Sequence, residues 1–63
     1  MNVKDLKERI QTLPVGTVLE LSTSQYVNGS FDGRTSASAI RSLEKQGLIT
    51  ADWLYRYAEV TVL

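Results

Sequence analysis

The chain contains no cysteine and no histidine. Disulfide staples are therefore excluded, and so are the common zinc sites, which draw on those two side chains. The same absence removes the usual general base and the thiol nucleophile of enzymes. Its carboxylates are scattered, and no pair has the spacing that would place both on one face beside a pocket. The glycines at 29 and 33 stand in a connection and not between a strand and a helix, so no phosphate-cradling loop is present. An enzyme is not expected, and neither a metal nor an organic cofactor. No apolar run approaches the ~18 residues that a membrane span needs. The N-terminal stretch MNVKDLKERI mixes both charge signs and lacks the apolar centre of a signal peptide. A cytoplasmic location is the expectation, with no membrane partner.

Charge of one sign is missing as well: seven basic and seven acidic residues cancel. Many small nucleic-acid binders are plainly basic, because phosphate contacts supply most of their non-specific affinity. Zero net charge weighs lightly against such a partner; where the charges sit decides. With 63 residues the chain makes a single domain, 1–63, near the lower limit for an unstapled core. That core must rest on regular elements or on a partner subunit.

What the chain does have is a central stretch from Arg34 to Ile49, RTSASAIRSLEKQGLI. Ile40 and Leu43 with Ala37 and Ala39 give it a narrow apolar side, while Ser38, Arg41, Ser42 and Lys45 gather on the opposite side. Thr35 or Ser36 can act as N-cap, and Gly47 fits the left-handed position past the helix end. Earlier, Asn2 to Thr12 reads as a first helix, with Asn2 as N-cap, Asp5 in the first turn, and Val3, Leu6, Ile10 and Leu13 at helical spacing. Pro14 stops it.

Thr17 to Leu21 alternates as a short strand, with Leu19 and Leu21 on one face and Val18 and Glu20 on the other. Ser22, Thr23 and Ser24 offer capping hydroxyls, and a short second helix is expected from about Thr23 to Asn28. Phe31-Asp32-Gly33 connects it to the central helix, as in a helix-turn-helix. Leu48 to Thr50 reads as a strand, Asp52 to Tyr55 as a reversal, and Tyr57 to Leu63 as a last strand with Ala58, Val60 and Val62 inward. The reversal lacks an Asn-Gly or Asp-Gly pair. The expected order is helix, strand, helix, helix and a two-stranded wing, an α+β winged helix-turn-helix.

The run LPVGTVLELSTSQYVNGSFDGRTSASAIRSLEKQGLI, Leu13 to Ile49, resembles the DNA-binding domains of bacterial winged-helix regulators, the GntR-like and MarR-like ones especially. AIRSLEKQGLI looks like the end of their recognition helix passing into the first wing strand, and PVGTVL is similar to the GntR-like approach to the second helix. The wing lacks the Gly-rich tip of GntR-like proteins, and no effector-binding domain follows the match. The resemblance implies a stand-alone DNA-binding module of a bacterium or phage: a transcriptional regulator such as a repressor, or an accessory factor such as an excisionase.

By that pattern the helix over about 35–46 lies in the major groove of double-stranded DNA. Arg34, Thr35, Ser36 and Ser38 approach base edges first, then Arg41, with Ser42 and Lys45 on the same side. An arginine can pair bidentately with guanine, and the hydroxyls can bond bases or phosphate. Ser22, Thr23, Ser24 and Gln25 at the second helix offer hydroxyls and backbone N–H groups to a phosphate. Arg56 reaches backbone or minor groove from the wing. Losing one base contact should cost about 1–3 kcal/mol.

Each assignment has a plainer counterpart. Arg41 and Lys45 also suit the solvated side of an ordinary helix, and Ser36 and Ser38 suit a helix start with no further role. Trp53 and Tyr55 suit packing of the wing on its own sheet, and Tyr26 and Phe31 suit the core. The competing function is a protein-interaction module, for example an inhibitor or adaptor that binds a protein and no DNA. A last strand ending at Val62-Leu63 would offer an edge for a protein partner or for a homodimer reading two half-sites. Charge geography separates the two readings: basic residues together on one face favour DNA, an apolar patch in their place favours protein.

Overall fold

The computed structural model describes residues 1–24 and 31–63. Among them are two helices and a four-stranded mixed sheet, an α+β arrangement: α1 (Val3–Gln11), β1 (Val18–Ser22), β2 (Gly33–Arg34), α2 (Ala37–Lys45), β3 (Ile49–Leu54) and β4 (Tyr57–Val62). No helix among the described residues is long and apolar enough to cross a membrane.

Local chemistry sets the helix ends. The Asp5 N–H donates to Asn2 Oδ1 at 2.8 Å, so Asn2 caps α1 and fixes where it begins. Leu6 and Ile10 are its buried residues, and Pro14 follows soon after its last turn. Ser36, the second of the two candidate caps, starts α2 by accepting the Ala39 N–H. At the other end Gly47 has φ +77, the Leu48 N–H donates to the Leu43 carbonyl, and the Gly47 N–H donates to that of Glu44. That pair of bonds is a Schellman motif, and Leu48 packs on the core beside it.

The strands follow their alternation. Leu19 and Leu21 of β1 and Ala58, Val60 and Val62 of β4 are buried, whereas Val18 and Glu20 face outward. The sheet order is β2-β1-β4-β3, with β1 and β3 antiparallel to β4, and β2 parallel to β1. Leu6 and Ile10 of α1 and Ile40 and Leu43 of α2 join the inward strand residues in one core. Both helices therefore cover one face of the sheet, and the core lies between the two layers.

Three expectations are corrected. The reversal is not over Asp52–Tyr55: β3 continues to Leu54, and Tyr55 and Arg56 alone make the turn. The backbone solves the missing glycine by placing Arg56 itself at φ 70. Secondly, β4 is not an edge, since it lies between β1 and β3; the long edge strand is β3. Thirdly, the Phe31-Asp32-Gly33 connection contains a parallel strand. Asp32 anchors it, accepting the Glu20 N–H on Oδ2 and donating its own N–H to the Glu20 carbonyl, both at 2.8 Å. Of the expected second helix over Thr23–Asn28, Thr23 and Ser24 belong to no helix and the rest lies outside the described residues.

Candidate nucleic-acid interface

Cross-strand register assigns each exposed side chain to a face. Leu19, Val60 and Ala51 form one row, and Leu21, Ala58 and Trp53 the next but one; both point under the helices. Between them Glu20, Glu59 and Asp52 stand directly opposite one another on the far face. Three carboxylates thus line the side of the sheet that α2 does not cover. Among the described residues they are not close enough, with any other candidate ligand, to hold a metal ion.

The basic residues lie elsewhere. Ser22 pairs with Arg34 on one side and Tyr57 on the other, and Tyr57 pairs with Leu54. Arg34 therefore sits at the same end of the sheet as the Tyr55-Arg56 turn, its side chain on the far face with those of Ser22 and Tyr57, and α2 starts from that end three residues later at Ala37. The Thr23 N–H donates to the Arg56 carbonyl at 2.9 Å, and Arg34 Nε donates to the Ser24 carbonyl at 2.9 Å. These two bonds tie the turn, the strand after β1 and the approach to α2 into one end of the molecule. The Met1 amino group donates to the Arg34 carbonyl there as well.

From this end α2 presents Ser38, Arg41 and Lys45 to solvent, with Ser42 half-buried among them. The Arg41 guanidinium lies 4.9 Å from the centroid of the Trp53 ring, which joins the exposed side of α2 to the edge of β3. Such a contact is worth about 0.5–1 kcal/mol at an exposed site. Arg56 stacks on Tyr55 in the same way at 5.1 Å.

The hydroxyls divide. Ser36 Oγ is occupied as the helix cap and lies 3.2 Å from Ser38 Oγ; Ser42 Oγ accepts from Gln46 Nε2 at 3.3 Å. Two expected contacts are corrected by burial. Thr35 is 1% exposed and Ser22 is fully buried, so neither side chain stands on a surface that a base or phosphate can touch. Alternation sends Ser22 to the far face, where the Phe31 ring lies 5.3 Å from that of its neighbour Tyr57. Thr35 is held by its own N–H, which donates to the Ser22 carbonyl. Thr23 keeps its place near the site, but its N–H is committed to Arg56. Gln25 lies outside the described residues.

Sequence reasoning missed Asp32 and the Arg41–Trp53 stack. Neither leaves a periodic signal: the first is a single carboxylate in a connection, the second a pair brought together by α2 crossing β3. No protein-family model, no curated protein and no solved structure matches the chain.

Proposed function

We propose that this is a small sequence-specific DNA-binding protein of the winged helix-turn-helix kind. In this reading α2 enters the major groove, the β3–β4 hairpin is the wing, and Arg41 reads bases while Lys45 and Arg56 meet phosphates. Arg34, whose side chain shares the far face with Ser22, is not among the base contacts. The observation that carries it is the separation of charge in a chain of zero net charge. Glu20, Glu59 and Asp52 share the far face of the sheet, with Arg34 on that same face by its register with Ser22. Arg41 and Lys45 are exposed on α2, beside a half-buried Glu44, and Arg56 lies in the turn at the end from which α2 starts. Element order supports the same reading, since a helix running into an antiparallel hairpin is the recognition-helix-and-wing succession. The role that fits is regulation of transcription, as a repressor for example, or accessory shaping of DNA.

Titration of isotope-labelled protein with mixed-sequence duplex DNA, at low and then moderate salt, tests it by NMR. The expected result is shifts at Ser36–Lys45 and Tyr55–Arg56 that fade as salt rises. Absence of shifts at low salt would overturn the reading in favour of a protein-interaction module, to which the exposed Leu54 and Tyr55 are suited.

A further inference from the structure

Among the described residues the outer edge of β3 is an unpaired strand with little of the usual protection. Among the described residues nothing pairs with its outer side. Ile49–Leu54 has no proline, lysine or glycine, and its register with β4 runs one for one without a bulge. Native sheets ordinarily blunt a six-residue edge with one of those devices. Asp52 is the single charge on it.

Ladder geometry says which groups face outward. Leu54 and Tyr57 close a two-residue turn, and the Leu63 N–H donates to the Leu48 carbonyl at 3.1 Å. Hydrogen-bonded pairs alternate along an antiparallel ladder, so Thr50, Asp52 and Leu54 turn their backbone groups toward β4. Ile49, Ala51 and Trp53 turn theirs out. An incoming strand must bond to those three.

We propose that β3 pairs antiparallel with β3 of a second copy, in the register centred on Ala51. The strand is its own complement in that register. Ile49 then stands opposite Trp53 of the other copy, and Thr50 opposite Asp52. The same count sets Leu54 against Leu48, two apolar residues with surface to cover. Shifting the pairing centre by one residue to Asp52 sets Asp52 against its own copy, a like-charge pair that disfavours it. Shifting it the other way, to Thr50, leaves Asp52 opposite Leu48. Only the Ala51-centred register matches apolar with apolar and keeps the carboxylates apart.

Pairing of this kind joins two four-stranded sheets into one continuous sheet of eight strands, with the axis of symmetry perpendicular to it. The inward faces of both copies remain on the same side, and both α2 helices with them. On the DNA-binding reading, from which this last consequence alone follows, the dimer presents two recognition helices to one side of a duplex.

Sedimentation equilibrium across a micromolar-to-millimolar series tests the pairing without DNA. The wild-type chain is expected to show a monomer–dimer equilibrium. Thr50 is exposed, so both charges can be placed there without touching the core. Thr50→Lys sets two opposite-charge pairs across the interface and should tighten the dimer about fivefold at low salt; Thr50→Asp sets two like-charge pairs and should loosen it by a similar factor. Ala51→Pro removes an outward N–H that β4 does not use, and should leave a folded monomer. A wild-type chain that stays monomeric through the series would overturn the proposal. So would a dimer whose affinity moves in the same direction, or not at all, in the two Thr50 variants. Failure of the DNA titration with the Thr50 pattern intact would sink the functional reading and leave the pairing standing.

Discussion

Thr35 buries a hydroxyl whose oxygen has no hydrogen-bond partner among the described residues, immediately before the cap of α2. An unsatisfied buried polar atom costs about 1–3 kcal/mol. Valine has nearly the same shape and no such atom, and its branched side chain suits extended backbone. Thr35→Val should therefore raise the unfolding free energy by ~1 kcal/mol in a urea melt and leave DNA affinity as it was. A stabilised variant with lost affinity would mean that Thr35 turns outward to the nucleic acid. Arg56 makes the opposite bargain with the fold. Its φ of 70 is the left-handed region, which costs an L-residue about 1–2 kcal/mol and a glycine almost nothing. Arg56→Gly relieves that strain, offset by the added freedom of glycine in the unfolded chain and by the lost stack on Tyr55. The net expectation is a gain of up to about 1 kcal/mol together with weaker DNA binding. Equal affinity in the glycine variant would remove the wing arginine from the interface.

At the scale of elements, the row Glu20–Glu59–Asp52 sets like charges directly opposite across three strands. Glu59 stands between the other two and meets both. Glu59→Gln removes both repulsions at once and keeps the shape, so it should stabilise the sheet by about 0.5–1 kcal/mol at low salt. The gain should shrink in high salt, where exposed charges are screened over ~3 Å at 1 M; a gain that salt leaves unchanged would point to packing instead. The same elements show what the sequence makes legible. The helices and inward strand residues could be read because each carries its own signal: Asn2 and Ser36 as caps, Gly47 as a stop, Leu19/Leu21 and Ala58/Val60/Val62 as alternation. The turn is not legible in the sequence because Tyr55-Arg56 lacks the Asn-Gly or Asp-Gly pair of a tight hairpin, and Arg56 takes φ 70 only with the strands on either side in place. Strand β2 is two residues long and depends on Asp32 reaching Glu20, a contact between residues 12 apart. That β4 is central and β3 an edge is a fact about pairing partners, which no single strand encodes. In the site, spacing placed Ser38, Arg41 and Lys45 correctly on the outer side of α2. It could not place Ser22 and Thr35, because a hydroxyl suits solvent and interior alike until the layers close over it.

At the scale of the whole molecule, net charge and charge geography make different predictions. A basic surface raises affinity through the phosphates it meets, whereas total charge acts at longer range and is screened over ~10 Å at 0.1 M salt. The far face of the sheet is separated from the outer side of α2 by the sheet itself and a helix about 10–12 Å across. A charge on the far face is thus at or beyond the screening length from bound DNA. Glu59→Lys and Lys45→Glu change the net charge by the same amount in opposite directions, the first on the far face and the second on α2. If total charge governed binding, the first would strengthen affinity by as much as the second weakens it. If local geometry governs, Glu59→Lys should leave the affinity within about twofold, whereas Lys45→Glu should lower it by tenfold or more, roughly the loss of one phosphate contact and the gain of one repulsion. The salt slope separates the two further. Two cations, Lys45 and Arg56, meeting two phosphates give a slope of log affinity against log salt of about −1.8, and Lys45→Glu should flatten it by about one while Glu59→Lys leaves it unchanged. Fluorescence anisotropy with a labelled duplex at several salt concentrations measures both quantities. Symmetric effects of the two substitutions would mean that the protein meets DNA as a diffuse charge, with α2 having no privileged place in the contact.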